Sequence, residues 1–120
     1  MNNKEKGDLG EKLAREYLLK NKFDILDSNY KAKTGEIDIV SKYNDEIIFI
    51  EVKSRNSINY GYPSEAINST KKSRIINTAK YYILEKNITN TSIRFDVIEV
   101  YLKNNKINHI ENAFCGGDYA

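Results

Sequence analysis

Two carboxylates and one lysine are spaced so that they could form a single site. Asp38 lies in one strongly β-forming stretch, and Glu51 and Lys53 end the next one. Side chains of a strand alternate between its two faces, so Glu51 and Lys53 share a face. If the turn between the stretches is centred between Asn44 and Asp45, Asp38 lies directly opposite Glu51. A three-residue turn would instead shift the register by one residue.

The two opposed carboxylates need positive charge beside them. Directly opposed residues of antiparallel strands have Cβ atoms roughly 4.5 to 5.5 Å apart, where like charges are destabilising. Lys53 supplies one positive charge, and a divalent cation bridging Asp38 and Glu51 would supply the rest. The alternative is a salt-bridge ladder on a half-exposed sheet. We favour the metal site because the flanking residues predict a central, buried hairpin. These flanking residues are Ile37, Ile39, Ile47, Ile48, Ile50 and Val52.

An amphipathic helix is predicted before the hairpin, from about Lys4 to Asn21. Its apolar residues recur at helical spacing: Leu9, Leu13, Ala14, Tyr17 and Leu18. Around the helix, Glu11 lies beside Gly7 and Ala14, at the edge of the apolar face. This position favours a role for Glu11 in the site. The alternative is an exposed helix glutamate paired with Arg15.

The remaining pattern predicts further strands and a second helix. The strands are expected at Phe23–Lys33, Glu36–Val40, Ile47–Lys53, Ile93–Leu102 and Ile107–Ile110. Residues 54–64, which include Gly61 and the only proline, Pro63, predict a loop. The second helix follows it, with Ser69 or Thr70 as the capping residue. The predicted order is helix, three strands, helix and two strands.

Composition sets broad limits on the kind of protein. With 120 residues, 40% of them hydrophobic and 30% charged, the chain is expected to form a single domain over residues 1–120. The net charge of +2 says little about the partner, so a polyanion would require basic residues gathered on one face. Cys115 is the only cysteine, which excludes an internal disulfide. Because no apolar stretch could cross a bilayer, we expect a cytoplasmic protein without a membrane partner.

Basic residues near the predicted site could bind phosphate groups. Lys71, Lys72 and Arg74 crowd the first turns of the second helix, and Arg55 follows the hairpin. Cations near a helix N-terminus can cradle phosphates, although such a cluster can equally be a solvated helix face. Both interpretations remain open for these residues.

Three polar residues near the end of the chain are expected to be structural. A lone histidine such as His109, far in sequence from the hairpin, is more often structural than a ligand. Arg94 and Asp96 are expected to form a local pair or to hold the sheet edge.

The hairpin resembles the motif of a known nuclease superfamily. Residues 35–40 read GEIDIV and residues 49–55 read FIEVKSR, a pattern similar to that of the PD-(D/E)XK nucleases and, more closely, of the small bacterial YraN-like family. The likeness covers nearly the whole chain, including the GxxGExxA opening at residues 7–14. It implies a restriction endonuclease-like α/β core: a mixed central β-sheet flanked by helices, in the order αβββαβ with an extra C-terminal strand. That order agrees with the one derived from the residue pattern.

The resemblance also implies roles for individual residues. Asp38, Glu51 and the backbone carbonyl of Val52 would ligate Mg²⁺ or Mn²⁺, and Lys53 would orient or activate the attacking water. Glu11 would stand behind or beside the metal. A hard cation prefers such oxygen ligands and stabilises charge that develops on a phosphate. The sequence departs from the motif at Ile37, which stands where the superfamily name has proline.

The function implied by the resemblance is metal-dependent hydrolysis of phosphodiester bonds in nucleic acid. DNA is favoured over RNA, with branched, Holliday-junction-like DNA as one candidate substrate. Symmetrical cutting of two strands would require a two-fold homodimer. The alternative, from a different class, is a non-catalytic nucleic-acid-binding or assembly module that retains a relic of the site. The weak net basicity of the chain keeps this alternative open.

Overall fold

The helices and strands follow one another in the predicted order. The computed structural model describes residues 1–56 and 68–115. The helices are α1 (Asn3–Lys20) and α2 (Ser69–Glu85), and the strands are β1 (Asp24–Ala32), β2 (Gly35–Tyr43), β3 (Glu46–Arg55), β4 (Ser92–Tyr101) and β5 (Lys106–Phe114). The part of the predicted loop from residue 57 to residue 64, with Gly61 and Pro63, lies outside the described residues.

The sheet is built from strands that are neighbours both in sequence and in space. Its order is β1-β2-β3-β4-β5. The pairs are antiparallel except for β3 and β4, which are parallel. A parallel pair requires a crossover connection, and α2 belongs to that connection. The fold is therefore α/β, with a mixed five-stranded sheet flanked by helices.

Both faces of the sheet are covered by apolar side chains. The α1 side is packed with Ala14, Leu18, Phe23, Ile39, Ile48, Ile50, Ile98 and Val100. The α2 side is packed with Ile37, Val40, Ile47, Phe49, Ile75, Ile76, Ala79, Tyr82, Phe95 and Val97. Because β2 and β3 contribute to both groups, their hairpin is buried on two faces. This burial explains why its sequence is apolar almost throughout rather than alternating.

The helices begin at side-chain caps. In α1, Asn2 accepts a hydrogen bond from the backbone of Glu5, and Glu5 accepts one from the backbone of Asn2. In α2 the predicted cap was wrong by one or two positions. Asn68 caps this helix, because its side-chain oxygen accepts a hydrogen bond from the Lys71 N–H at 2.8 Å. No helix within residues 1–56 and 68–115 is long and apolar enough to cross a membrane.

Three strands continue two or more residues beyond their predicted ends. The first is β2, which runs to Tyr43 instead of ending at Val40. The strand β3 continues through Ser54 and Arg55, which were assigned to the loop, because both residues pair with β4. The strand β5 extends to Phe114 instead of ending at Ile110. A register shift interrupts its pairing with β4, and Asn112 has a left-handed φ of 52°. Beyond this irregularity the side chains no longer alternate regularly between the two faces of the sheet. The sequence pattern therefore did not reveal that the strand continues to Phe114.

Candidate functional site

The register of the central hairpin follows from its two-residue turn. Asn44 and Asp45 both have left-handed φ values, 49° and 65°. This is the conformation of a type I′ turn, which asparagine and aspartate tolerate better than most residues. The flanking strands pair as predicted for a turn centred there, from Tyr43 opposite Glu46 to Ile39 opposite Ile50. The three-residue alternative is therefore wrong.

The strands β2 and β3 separate immediately after the last of these pairs. From there β2 stays paired with β1 as far as Gly35, and β3 stays paired with β4 as far as Arg55. At the separation, the backbone N–H of Val52 donates a 2.8 Å hydrogen bond to Oδ2 of Asp38. The Asp38 carboxylate thus takes an acceptor position at the point where the backbone pairing ends. We call this point the fork.

The two carboxylates at the fork repel each other when both are ionised. The side chain of Glu51 is 9% exposed. Burial and the neighbouring charge of Glu51 raise the pKa of Asp38 to about 8, against the opposing effect of the hydrogen bond from Val52. The charge of Glu11 raises this pKa further. A second negative charge beside Glu51 is therefore disfavoured, and Asp38 holds its proton more tightly than an ordinary aspartate does.

A lysine from α2 pairs with the second carboxylate, Glu51. Nζ of Lys71 lies 2.6 Å from Oε1 of Glu51. Sequence reasoning placed Lys71 among the phosphate-binding residues and named Lys53 as the counter-charge. Lys53 is half-buried on β3, two residues beyond Glu51, with Glu99 of β4 as its partner in register. The ion pair brings α2 and the fork into one site.

Close packing of α1 against β3 positions Glu11. A Cβ atom on Gly10 would lie 1.9 Å from Oγ of Ser54, so only glycine permits this approach. The Ser54 hydroxyl in turn donates a 3.0 Å hydrogen bond to the carbonyl of Lys6 in the same helix. The glycine before Glu11 is therefore explained by packing.

An asparagine links Glu11 to a further carboxylate. The amide nitrogen of Asn29, in the orientation that satisfies both neighbours, donates to Oε1 of Glu11 at 2.9 Å and to Oε1 of Glu36 at 3.0 Å. Burial raises the pKa of Glu11, and the charge of Arg15 and the Asn29 hydrogen bond offset this only in part. Glu11 and Glu36 thus surround the fork with additional carboxylates.

A cleft of about 730 Å³ opens between the fork and the start of α2. Its lining includes Glu36, Asp38, Glu51, Asn68, Lys71 and Arg74. Lys72 lies elsewhere, with Nζ 5.9 Å from the centroid of the Phe114 ring. The basic residues at the start of α2 therefore divide: Lys71 and Arg74 line the cleft, and Lys72 covers an aromatic ring near β5.

Arg55 is held by a carboxylate that the sequence reasoning missed. Its guanidinium lies 3.1 Å from Oε2 of Glu99, whose side chain is 2% exposed. The amide of Asn108 donates a 2.8 Å hydrogen bond to the other oxygen of Glu99. The sequence contained a signal for a functional or structural role of Glu99. This residue interrupts an otherwise apolar strand segment, as Asp38 and Glu51 do in the hairpin.

Arg94, Asp96 and His109 form a structural network, as expected. Arg94 makes two 2.8 Å hydrogen bonds to Asp96, and Nε2 of His109 lies 2.7 Å from the same carboxylate. Burial would raise the pKa of Asp96, but the hydrogen bonds from His109 and Arg94 lower it below its ordinary value. The Tyr17 hydroxyl lies 2.9 Å from Nδ1 of His109, which ties α1 to β5.

Comparison with known proteins assigns the chain to a family. Residues 10–100 match the family described as uncharacterised protein family UPF0102. The chain belongs to the UPF0102 family. It is 60% identical to a UPF0102 protein of Clostridioides difficile (strain 630), over 95% of this chain and all of the relative. It is 44% identical to a UPF0102 protein of Persephonella marina, over 91% of this chain and 92% of the relative.

The family match covers both central strands and α2, so the fork and its ion pair lie inside the UPF0102 region. It bears out the resemblance to the YraN-like family that the motifs indicate. The glycine-rich opening is matched from Gly10 onward, which includes Glu11.

The donor set at the fork suits a hard divalent cation. Among the described residues, no group of three or more histidine, cysteine, aspartate or glutamate side chains is arranged to hold a metal. An ion here would therefore depend on Asp38 and Glu51, with main-chain oxygen and water as the other ligands. A bridging cation would relieve the repulsion that raises the pKa of Asp38. It would also compete with Lys71 for Glu51.

Proposed function

We propose that this UPF0102 protein is a metal-dependent nuclease with a restriction endonuclease-like core of the PD-(D/E)XK superfamily, hydrolysing phosphodiester bonds in DNA. The observation that carries the proposal is the fork, where Asp38 and Glu51 meet in a cleft and the Val52 backbone is tied to Asp38. Carboxylates are rare on a hairpin as apolar as this one, and the cleft that these two residues line is open to a ligand.

Each residue of the proposed site has a distinct task. Asp38, Glu51 and the carbonyl of Val52 would hold Mg²⁺ or Mn²⁺. When bound, the ion lowers the pKa of water and stabilises charge that develops on the phosphate. Lys53 would orient the attacking water from its position on β3. Glu11, fixed by Asn29, would stand beside the metal ligands and hold water.

Substrate contacts would come from cations around the cleft. Arg74 lines it, and Lys71 lies at its inner end. Arg55 is held in place by Glu99 on β3 and β4. DNA is the preferred substrate class in this proposal, with branched DNA included, and a two-fold dimer would allow both strands to be cut.

One observation favours the alternative function, a non-catalytic nucleic-acid-binding module. The ion pair between Lys71 and Glu51 balances one carboxylate without a metal. A relic site would keep this pair, bind nucleic acid through the same cations and cut nothing.

A cleavage assay tests the proposal. The protein is incubated with Mg²⁺ or Mn²⁺ and with linear, single-stranded and four-way-junction DNA, beside matched RNA. Lys53→Ala should abolish cutting. The matched control is Lys42→Ala, which removes an exposed lysine at the other end of the same hairpin and should leave cutting intact.

Each other result has a definite meaning. Cutting that survives Lys53→Ala would come from a contaminant. Binding without cutting, in all metals and on all substrates, would favour the non-catalytic module over the nuclease.

A further inference from the structure

A second cleft adjoins the first one and extends away from the fork. Its volume is about 630 Å³, and it shares Gly35, Glu36 and Arg74 with the first cleft. It also includes Lys31 and Lys33, at the turn between β1 and β2. The two clefts adjoin along these residues, and together we call them the trough.

One wall of the trough is a stripe of polar residues along α2. Lys71, Arg74 and Asn77 are spaced three residues apart, so each lies beside the next on the helix surface and the stripe winds around the helix. Lys71 lies at the fork, Arg74 lines both clefts and Asn77 lines the outer one. A ligand leaving the fork along this wall meets hydrogen-bond donors at each turn of the helix.

The opposite wall is formed by the end of β1 and the β1–β2 turn, which carry the exposed lysines Lys31 and Lys33, respectively. This turn is fastened to α2. The hydroxyl of Thr34 lies 2.7 Å from that of the buried Thr78, and Thr78 donates a 2.7 Å hydrogen bond to the carbonyl of Arg74. One hydrogen bond, between Thr34 and Thr78, therefore joins the two walls of the trough.

Charge is distributed unequally along the trough. The inner end holds the carboxylates of Asp38 and Glu51, and Glu36 lies where the two clefts meet, opposite Lys31 in the strand register. The outer end has two lysines and an arginine on its rims. A ligand that fits this pattern has repeated negative charges along one edge. One of these charges would lie at the metal ligands, and the next ones would lie beside the cations of the outer end.

We infer that the trough is the track of a nucleic-acid backbone, and that Lys31, Lys33 and Arg74 contact phosphates on one side of the phosphate held at the fork. This inference rests on the proposed function, and it adds the β1–β2 turn to the binding surface. The turn is distant in sequence from the other basic residues assigned to phosphate contact. It takes part because the Thr34–Thr78 bond places it beside α2.

Binding measurements with matched double variants test the track. Lys31→Ala/Lys33→Ala removes two exposed charges from the trough, and Lys12→Ala/Lys20→Ala removes two exposed charges from α1. Affinity for a labelled DNA duplex and a single strand is measured in EDTA, so that nothing is cut, over a range of salt concentrations. Melting curves check that both variants are folded.

The double variant Lys31→Ala/Lys33→Ala, the trough variant, should bind DNA more weakly than the wild type and with a shallower salt dependence. Lys12→Ala/Lys20→Ala is the α1 variant. Losing two phosphate contacts lowers the slope of log affinity against log salt by about 1.8 for duplex and about 1.4 for single strands. Affinity near 0.1 M salt should fall on the order of tenfold. The α1 variant should keep the wild-type slope, and Lys33→Glu alone should weaken binding more than Lys33→Ala.

Three results would overturn the inference. If the wild type binds DNA and the trough variant has the same slope of log affinity against log salt, the track is wrong, and the proposed function is unaffected. Equal losses of DNA affinity in both double variants would show non-specific electrostatic binding over the protein surface instead of binding along the trough. If the wild type bound polyglutamate but neither DNA nor RNA, the track and the proposed function would both fail.

Discussion

The ammonium nitrogen of Lys71 lies 2.6 Å from Oε1 of Glu51, so the metal-free site contains its own counter-ion. The lysine side chain is 48% exposed, whereas that of Glu51 is 9% exposed. Lys71 is therefore anchored at a buried carboxylate but can move into the cleft. A cation that binds both carboxylates has to share Glu51 with this lysine or replace it.

Removing that lysine should have opposite effects on stability and on metal binding. Without metal, Lys71→Ala leaves Glu51 buried without this ion pair and should lower the free energy of unfolding by about 1 kcal/mol, since the half-exposed lysine reduces the effect expected for a buried pair. Affinity for Mn²⁺ should rise by about fivefold, because the competitor is gone. Urea denaturation and titration calorimetry measure the two effects. Weaker Mn²⁺ binding in Lys71→Ala would contradict the competition.

Asp38→Asn should remove most of the response to metal. We expect Mg²⁺ or Mn²⁺ to stabilise the wild type by roughly 2.7 kcal/mol when the metal is present at about a hundred times its dissociation constant. The substitution keeps the shape of the side chain but removes the charge that the ion needs. Asp45→Asn is the matched control, because the same change is made at the exposed turn of the same hairpin. The test compares melting temperatures with and without metal at fixed ionic strength. If the metal raises the melting temperature of the wild type and of Asp38→Asn equally, no metal binds at Asp38.

The metal-free protein should lose stability as the pH rises through the neutral range. The pKa of Asp38 is raised from 3.8 to about 8 by burial and by the charge of Glu51, so the folded state binds this proton more tightly than the unfolded state does. The stabilisation from this proton is complete below pH 3.8 and is lost as the pH rises towards about 8. Urea denaturation in EDTA between pH 5 and pH 8 should therefore give a steeper decline for the wild type than for Asp38→Asn. Parallel declines would mean that Asp38 titrates normally.

Gly10→Ala and Gly7→Ala should change stability in opposite directions. A methyl group on Gly10 would collide with Ser54, and we expect a loss of about 1–3 kcal/mol. At Gly7 an added Cβ has no neighbour within 4 Å, so the better helix propensity of alanine should give a gain of about 0.5–1 kcal/mol. Ser54→Ala should partly restore Gly10→Ala, since it removes the nearest colliding atom. The free energy of unfolding is measured by chemical denaturation of the wild type, Gly7→Ala, Gly10→Ala and Gly10→Ala/Ser54→Ala. Equal changes in this free energy for the two single glycine variants would contradict the packing argument.

The hairpin could be predicted from sequence because its determinants are local. The apolar strands, the turn at Asn44 and Asp45 and the alternation of side chains together define which residues face each other. The element order follows from similar local patterns. These features depend on residues close to each other along the chain, so a single sequence contains them.

The contacts that complete the site depend on packing between distant segments. Lys71 reaches Glu51 only because α2 crosses the sheet beside the fork, and the sequence does not contain that crossing geometry. Arg55 was recognised as basic, but its partner Glu99 lies on another strand. The cap of α2 was missed for a different reason: Asn68, Ser69 and Thr70 are all good capping residues, and local preference does not choose among them.

Because each strand pairs with its neighbour in the chain, we expect the parts of the site to come together at different stages of folding. The segment 35–55 can close by itself through a two-residue turn, at a small cost in loop entropy. The pairing of β3 with β4, and the arrival of α2, require closure of a much longer loop. The carboxylates of Asp38 and Glu51 can therefore meet before Lys71 is present to neutralise either of them. If the fork binds a divalent cation as proposed, that cation would pair with the carboxylates during this interval. We would then expect the hairpin to be most sensitive to metal before α2 packs against it.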